Sequence, residues 1–310
     1  MATNNSTAVN KCNRLSTKWN VFFFILLFVL FLIVLIPIIL VVIISFSSSA
    51  SIAANGYSFF PSEWTFDAYQ ALLFEGLGTQ ILNSYMVTIA QTVVGTVLSL
   101  FVMSLYAYVL AQKRFPARRF YTLILFITML FSGGMVPSYM VNTQLLHLYD
   151  TFWIFIFPSL VGAYNIIILR TFIQTTIPET LFDAAKIDGA NDFVIFFRIV
   201  LPLFKAGLAT IALFCAVGRW NDWFTAVLYI ENSHLIPIQT MLQKIQANIE
   251  FIKQNSMMMG NATSIDLLKS LPTESTRMAI VVISTIPIVF AYPFFQRYFV
   301  QGITVGSIKG

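Results

Sequence analysis

Arg219, Trp220, Asn221, Asp222 and Trp223 stand together near the end of a long apolar run. Ionisable side chains inside such runs are expensive and are functional candidates by default. On a helix Arg219 and Asp222 are three residues apart, so they can share a face and pair. Trp220 and Trp223 repeat that spacing. Flat aromatic faces beside amide and carboxylate groups suit a ligand with apolar ring faces and many hydroxyls, which is the chemistry of a sugar. The same residues would also serve as interfacial Trp anchors around a structural ion pair, and both readings stand here. Arg219 could also meet a charged ligand, such as a uronic-acid-bearing or sialylated glycan. Asn83, Gln91, Tyr106, Tyr108 and Asn165 are weaker candidates, each equally suited to bridging helices.

Catalytic chemistry finds no comparable set. Two His and two Cys are scattered without metal-ligand spacing. Cys12 lies in a polar tail and Cys215 in an apolar run, so no disulfide is expected. No Gly-x-x-x-x-Gly-Lys-Ser/Thr phosphate loop occurs, and no Ser/His/Asp arrangement or paired carboxylate stands out. The run from Phe131 through Ser132, Gly133 and Gly134 to Met135 imitates a Ser-Gly-Gly ATPase signature but reads better as a small-residue break.

The elements that carry these residues are membrane spans. Of 310 residues, 58% are hydrophobic and 10% charged, against roughly 45–50% and about 25% in soluble domains. One soluble core cannot bury that excess, which argues against a soluble enzyme or a nucleic-acid binder. A span needs about 20 apolar residues. Six runs qualify: 21–44, 81–111, 121–141, 151–172, 207–230 and 278–295. The first follows Lys11, Arg14 and Lys18 but exceeds a signal-peptide core of roughly 7–15 residues, so it is expected to be an uncleaved anchor.

Thirteen of the 18 basic residues fall on one side of these spans. They are the three of the first tail, Lys113, Arg114, Arg118 and Arg119 after span two, Arg170, Lys186, Arg198 and Lys205 after span four, and Arg297 and Lys309 at the end. The positive-inside rule then puts both termini in the cytoplasm. Two outer segments are large. Residues 45–80 carry Trp64, Phe66 and Tyr69 for packing. Residues 231–276 form a long loop, and loops of that length are either functional or linkers.

Residues 177–202 project into the cytoplasm. Pro178 can open a helix, Glu179 suits its first turn, and Leu181, Ala184, Ala185 and Ala190 favour it. Gly189 breaks it or permits a close backbone contact. Asp192 could cap a second helix, and Pro202 marks its end or a kink. The shape suits docking to a partner.

Asp183-Ala184-Ala185, Gly189, Ile199 and Leu201-Pro202 resemble the signature of ABC importer membrane subunits: Glu-Ala-Ala, three residues, Gly, nine residues, Ile, one residue, Leu-Pro. The spacing agrees throughout, with Asp183 where the family has Glu. Ala107–Ala111 with Phe115, Pro137-Ser-Tyr139, Asp150-Thr151, Leu169-Arg170, Trp220–Trp223 and the tail from Arg297 resemble the sugar-importing branch. The likeness covers nearly the whole chain from Val21 and points to the second permease subunit of oligosaccharide importers, in the group serving complex polysaccharide fragments.

The resemblance implies an all-α, six-span, type I ABC importer permease in a bacterial cell membrane. It implies a second permease as heterodimer partner, an ATPase dimer that holds ATP and Mg, and an extracytoplasmic binding protein that delivers the oligosaccharide. This chain would bind no cofactor of its own. Residues 177–202 would seat in an ATPase groove, and 231–276 would face the binding protein. The domain plan is then a tail (1–20), a first span (21–44), an outer segment (45–80), a permease core (81–299) and a tail (300–310). Alternatives are an ion-coupled secondary transporter, which would often show internal repeats, and an ABC permease for a non-sugar solute.

Overall fold

The computed structural model describes residues 16–74, 78–259 and 274–307. Lys11, Cys12, Arg14, Lys309 and residues 260–273 of the expected outer loop lie outside them. Helices dominate, and an isolated antiparallel bridge between Ser47 and Trp64 is the one strand-like pairing among the described residues. The chain divides into two units, Met1–Ala71 with Pro272–Val282, and Leu72–Leu271 with Ile283–Gly310.

In the first unit, α1 (Thr17–Ser45) is 29 residues long, about 43 Å at 1.5 Å per residue. That exceeds a hydrocarbon core of about 30 Å. It is apolar on every side, with Phe24 71% and Val34 64% exposed; such a helix belongs in lipid. Ser48 then caps α2 (Ser49–Asn55) by accepting from Ser51 N at 3.0 Å. Tyr69, on α3 (Asp67–Phe74), stacks on Phe46 and hydrogen-bonds Ser45 at 2.8 Å. Of the three aromatic residues expected to pack this segment, Tyr69 does so most fully. Phe66 meets Phe46 only edge-on, and Trp64 and Phe66 remain largely exposed.

In the second unit α4 (Gly78–Ala111) is the central element. The helices α7 (Ala163–Thr176) and α10 (Lys205–Trp220) pack along it. Their interface holds the main apolar cluster, including Met103, Ala107, Leu110, Ile166, Leu169, Ile173 and Ile211. Among the described residues α1 and α4 are each long and apolar enough to cross a membrane alone.

Three of the expected spans are not single helices. Span 121–141 is α5 (Arg118–Leu130) and α6 (Met135–Met140), the latter continued by a wide turn over Val141–Leu145. The pieces meet at 116°, at the Ser132-Gly133-Gly134 break, where Gly134 has φ +87°. Span 151–172 is a 3-10 turn (Phe152–Phe155), irregular backbone, and then α7. Pro158 lacks an N–H and clashes with a preceding helical turn, so it ends helix there. Span 207–230 divides into α10 and α11 (Phe224–Tyr229). The last run lies within α13 (Glu274–Ser307).

The segment 231–276, expected to be an outer loop, is also a correction. It contains a 3-10 turn (Ser233–Leu235) and α12 (Ile238–Met259), 22 residues long. Ile238, Met241, Leu242, Ile245 and Ile249 recur at helical spacing, a pattern that a reading by length and polarity passes over.

Candidate functional site

The segment 177–202 folds as a short helical hairpin. Pro178 sits at the N-cap of α8 (Glu179–Ile187), with Glu179 in its first turn. The helix ends in a Schellman arrangement: Ala190 N donates to Ala185 O at 3.0 Å and Gly189 N to Lys186 O at 3.1 Å. Gly189 takes φ +78° there, the left-handed region that favours glycine. The next helix, α9 (Asp192–Ile195), is capped by Asn191, whose Oδ1 accepts from Val194 N at 2.8 Å. Asn191 therefore takes the capping role expected of Asp192. A wide turn (Phe196–Val200) and Leu201–Leu203 follow, and Pro202 lies just before an 80° bend into α10.

The seven motif residues divide by burial. Ala185 is buried and Ile199 packs against the core beside Val200. Asp183 pairs with Arg114 at 2.9 Å, beside Glu179 with Lys113 at 2.5 Å. These two ion pairs tie α8 to the turn after α4. A third, Lys186 with Asp192 at 3.4 Å, closes the hairpin. Exposed pairs are individually weak, about 0–1 kcal/mol, so the mount is held mainly by Phe182, Ala185, Ile195 and Phe196 against Tyr108 and its neighbours. Two large apolar residues point away from it, Ile187 at 86% exposure and Phe193 at 71%. Motif matching does not single them out; their signal is apolar side chains at the tip of a polar hairpin.

The cluster 219–223 is split. α10 ends at Trp220, so the helical face expected to carry both Arg219 and Asp222 does not continue, and the two do not pair. Asp222 turns the other way, and its Oδ1 accepts from Thr225 N at 3.1 Å at the start of α11. Arg219 is buried at 8% exposure. Its Nη1 donates to Phe155 O at 2.6 Å, and its Nη2 to Ser99 Oγ at 2.7 Å and Ser159 O at 3.0 Å. Gly95 makes room for it, since a Cβ there would lie 2.6 Å from Nη1. The guanidinium thus supplies donors to two carbonyls, Phe155 O and Ser159 O, in the stretch before α7. A uronate reading of Arg219 loses its basis, because these partners occupy the group.

Trp220 is buried at 6% exposure, and its Nε1 donates to Ser284 O at 3.1 Å. Pro287 in α13 offers no N–H to the carbonyl four residues back, Ile283 O, and the Tyr85 hydroxyl donates to it instead. Trp220 also walls an apolar cavity of about 300 Å³ with Val93, Val97 and Pro287. Asn221 is exposed, with Nδ2 on Val217 O at 3.0 Å. Trp223 is 41% exposed. Side chains also reach the backbone at the break: Gln91 Nε2 donates to Arg219 O at 2.9 Å and Thr240 Oγ1 to Trp223 O at 3.0 Å.

Each weaker candidate joins two elements. Asn83 donates to His234 O at 2.6 Å, and Tyr106 meets Tyr121 edge-on. Tyr108 donates to Asp192 Oδ1 at 3.4 Å, and Asn165 approaches Cys215 Sγ at 3.8 Å. Cys215 is a free thiol.

A further clasp, absent from the sequence reading, joins 147–151 to the end of α11. Asp150, at φ +52°, accepts from Glu231 N at 3.0 Å and Asn232 N at 2.8 Å, while its own N–H donates to Tyr229 O. Tyr149 donates to Glu231 Oε1 at 2.7 Å, and that bond, followed by local desolvation and the adjoining negative charge, pushes its pKa up to about 12. Among the described residues no His, Cys, Asp and Glu gather as a metal site.

These elements are those of a known family. The model of the binding-protein-dependent transport system inner membrane component matches residues 107–305. The chain is similar to the polygalacturonan/rhamnogalacturonan transport system permease protein YtcP of Bacillus subtilis, 38% identical over 86% of this chain and 89% of that one. It is 31% identical to the arabinooligosaccharides transport system permease protein AraQ of Halalkalibacterium halodurans, over 86% and 88% of the two chains. A solved bacterial ABC transporter involved in importing the acidic polysaccharide alginate has a chain of the same fold, at TM-score 0.77 and 32% identity over 92% of this chain and 99% of that one. With the α8 hairpin and the broken spans in place, the chain belongs to the family of inner-membrane components of binding-protein-dependent transport systems.

Proposed function

We propose that this chain is one of two permease subunits of an ATP-driven importer and forms half of the path for an oligosaccharide. An extracytoplasmic binding protein delivers the sugar, and a partner ATPase dimer, with its ATP and Mg, docks on α8. The chain itself hydrolyses nothing. In this reading α1, α4, α5–α6, residues 151–176, α10–α11 and α13 are six crossings with both ends cytoplasmic, supported by the distribution of Lys and Arg. The stretch 231–276 faces the binding protein.

The observation that carries the reading is the α8 hairpin. It presents Ile187 and Phe193 at 86% and 71% exposure on a mount fixed by ion pairs and core packing. Exposed apolar anchors on a short helix suit a groove in a partner. Within 219–223, Asn221 and Trp223 have the exposure to meet a passing sugar, whereas Arg219 and Trp220 are buried. Substrate screening starts with fragments of acidic polysaccharides, because two of the similar proteins are named for polygalacturonan and alginate.

Gentle extraction of the tagged chain should recover a second permease and an ABC ATPase in near-stoichiometric amounts. Gly189→Trp forces a side chain into the left-handed region, at about 1–2 kcal/mol, and puts a bulky ring at the docking tip. It should lose the ATPase and uptake while the chain and second permease stay together. Recovery of this chain alone, or normal ATPase retention and uptake in Gly189→Trp, would overturn the proposal.

A further inference from the structure

The turn between α4 and α5 holds more positive charge than its surroundings neutralise. Lys113 and Arg114 are matched by Glu179 and Asp183. Arg118 and Arg119, which begin α5, have no carboxylate partner among the described residues, and neither has Arg170 on α7. Arg170 reaches toward the same place. Its Nη1 donates to Thr122 Oγ1 at 3.5 Å, one helical turn from Arg118, and the Arg118 and Arg170 charges repel each other. An unneutralised concentration of guanidinium groups is unfavourable unless an anion joins it.

An enclosed donor points the same way. Arg170 Nε is shielded from solvent and has no acceptor. Gln112 and Arg118 line a cavity of about 380 Å³. A second cavity of about 450 Å³ is lined by Lys113, Phe115, Pro116, Arg118 and Arg119. Arg118 thus borders both. The ligand missing from this arrangement must accept several hydrogen bonds at once and carry negative charge. Guanidinium forks match phosphate oxygens in that way. Phe115 stacks on Tyr121 with centroids 5.8 Å apart, which holds the turn at the edge of the apolar run that follows.

We infer that Arg118, Arg119 and Arg170 form a binding site for a phosphate group, borne by an anionic phospholipid or free in solution. The site does not depend on which solute the protein transports. Its occupant would stiffen the turn whose Lys113 and Arg114 hold α8, so the two surfaces are mechanically continuous.

The test is native mass spectrometry of the full-length chain, extracted with its partner subunits. It is exposed to phosphatidylglycerol or phosphatidylcholine, each with and without inorganic phosphate. Retention of phosphatidylglycerol over phosphatidylcholine is expected. Resistance to inorganic phosphate assigns a lipid headgroup, and displacement by it assigns a free-phosphate site. Arg118→Gln with Arg119→Gln should weaken retention by roughly 25-fold, about five-fold for each arginine, whereas Lys205→Gln, outside the cluster, should not change it. Hydrogen exchange over 112–122 of the unaltered protein supplies a reading that needs no variant: phosphatidylglycerol or phosphate should slow it. Equal retention of the two lipids with no effect of phosphate, full retention by the double glutamine variant, or unaltered exchange would each overturn the inference.

Discussion

Arg219→Met tests whether the buried guanidinium is a pin for irregular backbone or a ligand for solute. Three acceptors lose a donor: Phe155 O, Ser159 O and Ser99 Oγ. The Ser99 hydroxyl can rotate to its own helix's carbonyls, and Phe155 O keeps Ser159 Oγ at 3.2 Å, so Ser159 O is the carbonyl left without its donor. That costs about 1–3 kcal/mol when buried without a partner, and removing a desolvated charge gives part of that back. The net local loss is then about 1.5 kcal/mol, or a rise of roughly tenfold in opening. Hydrogen exchange of residues 154–166 reads this directly. Gly95→Ala attacks the same guanidinium from the other side, because its methyl would stand 2.6 Å from Nη1 and 2.7 Å from Cζ. Overpacking of that kind costs about 1–3 kcal/mol. Combined with Arg219→Met, the effect of Gly95→Ala should reverse in sign. A flexible thioether can make way, and alanine is a better helix residue than glycine by about 1 kcal/mol. The pair must therefore be strongly non-additive. Unaltered exchange over 154–166, or additive losses in the double variant, would refute the pin. Lost uptake with an undisturbed 154–166 segment would return Arg219 to the solute path.

The two tryptophans of the cluster should part company. Trp220→Ala removes the indole bond to Ser284 O and enlarges a cavity, so it should destabilise the fold by about 3–5 kcal/mol, read as a lower melting temperature. Trp223→Ala should reduce uptake without changing the melting temperature or subunit recovery; unchanged uptake would remove Trp223 from the sugar path. Tyr149 has a pKa pushed up to about 12 because its hydroxyl donates to Glu231. The folded state favours the neutral phenol, so this contribution is complete below about pH 10 and lost as pH rises from there through about 12. Glu231→Gln should make one phenol titrate earlier by ultraviolet absorbance, and an unchanged titration curve would contradict the assigned bond.

Hydropathy locates every apolar run, since lipid demands about 20 apolar residues whatever the helix does inside them. It does not locate the breaks. Pro158 and the Ser132-Gly133-Gly134 stretch are both visible as breakers, yet only the latter reads as one from sequence. Asn221 and Asp222 invite a reading as ligand chemistry, although their side chains compete locally for backbone groups and favour turns. The α8 hairpin is legible but for its second cap, Asn191 in place of Asp192, because a short helix, its glycine stop and its prolines are local decisions. The Arg219 pin is not, because Phe155, Ser159, Ser99 and Gly95 come from distant parts of the sequence. Nothing in the order of residues marks Gly95 as the slot for a guanidinium.

Non-helical backbone at membrane depth survives only where protein satisfies its freed groups. Three interruptions in this chain show how that requirement allocates polar residues. The segment 152–162 receives Arg219. The break at 221–223 receives Gln91 and Thr240. Pro287 receives Tyr85 and its neighbouring carbonyl receives Trp220. Three of these five donors, Arg219, Gln91 and Trp220, are residues that a search for intramembrane chemistry marks as candidates for solute. Backbone carbonyls at or beside the breaks account for them instead. Polar side chains in an importer's spans should therefore be assigned to backbone breaks first, and to the transported sugar only where they are exposed, as Asn221 and Trp223 are.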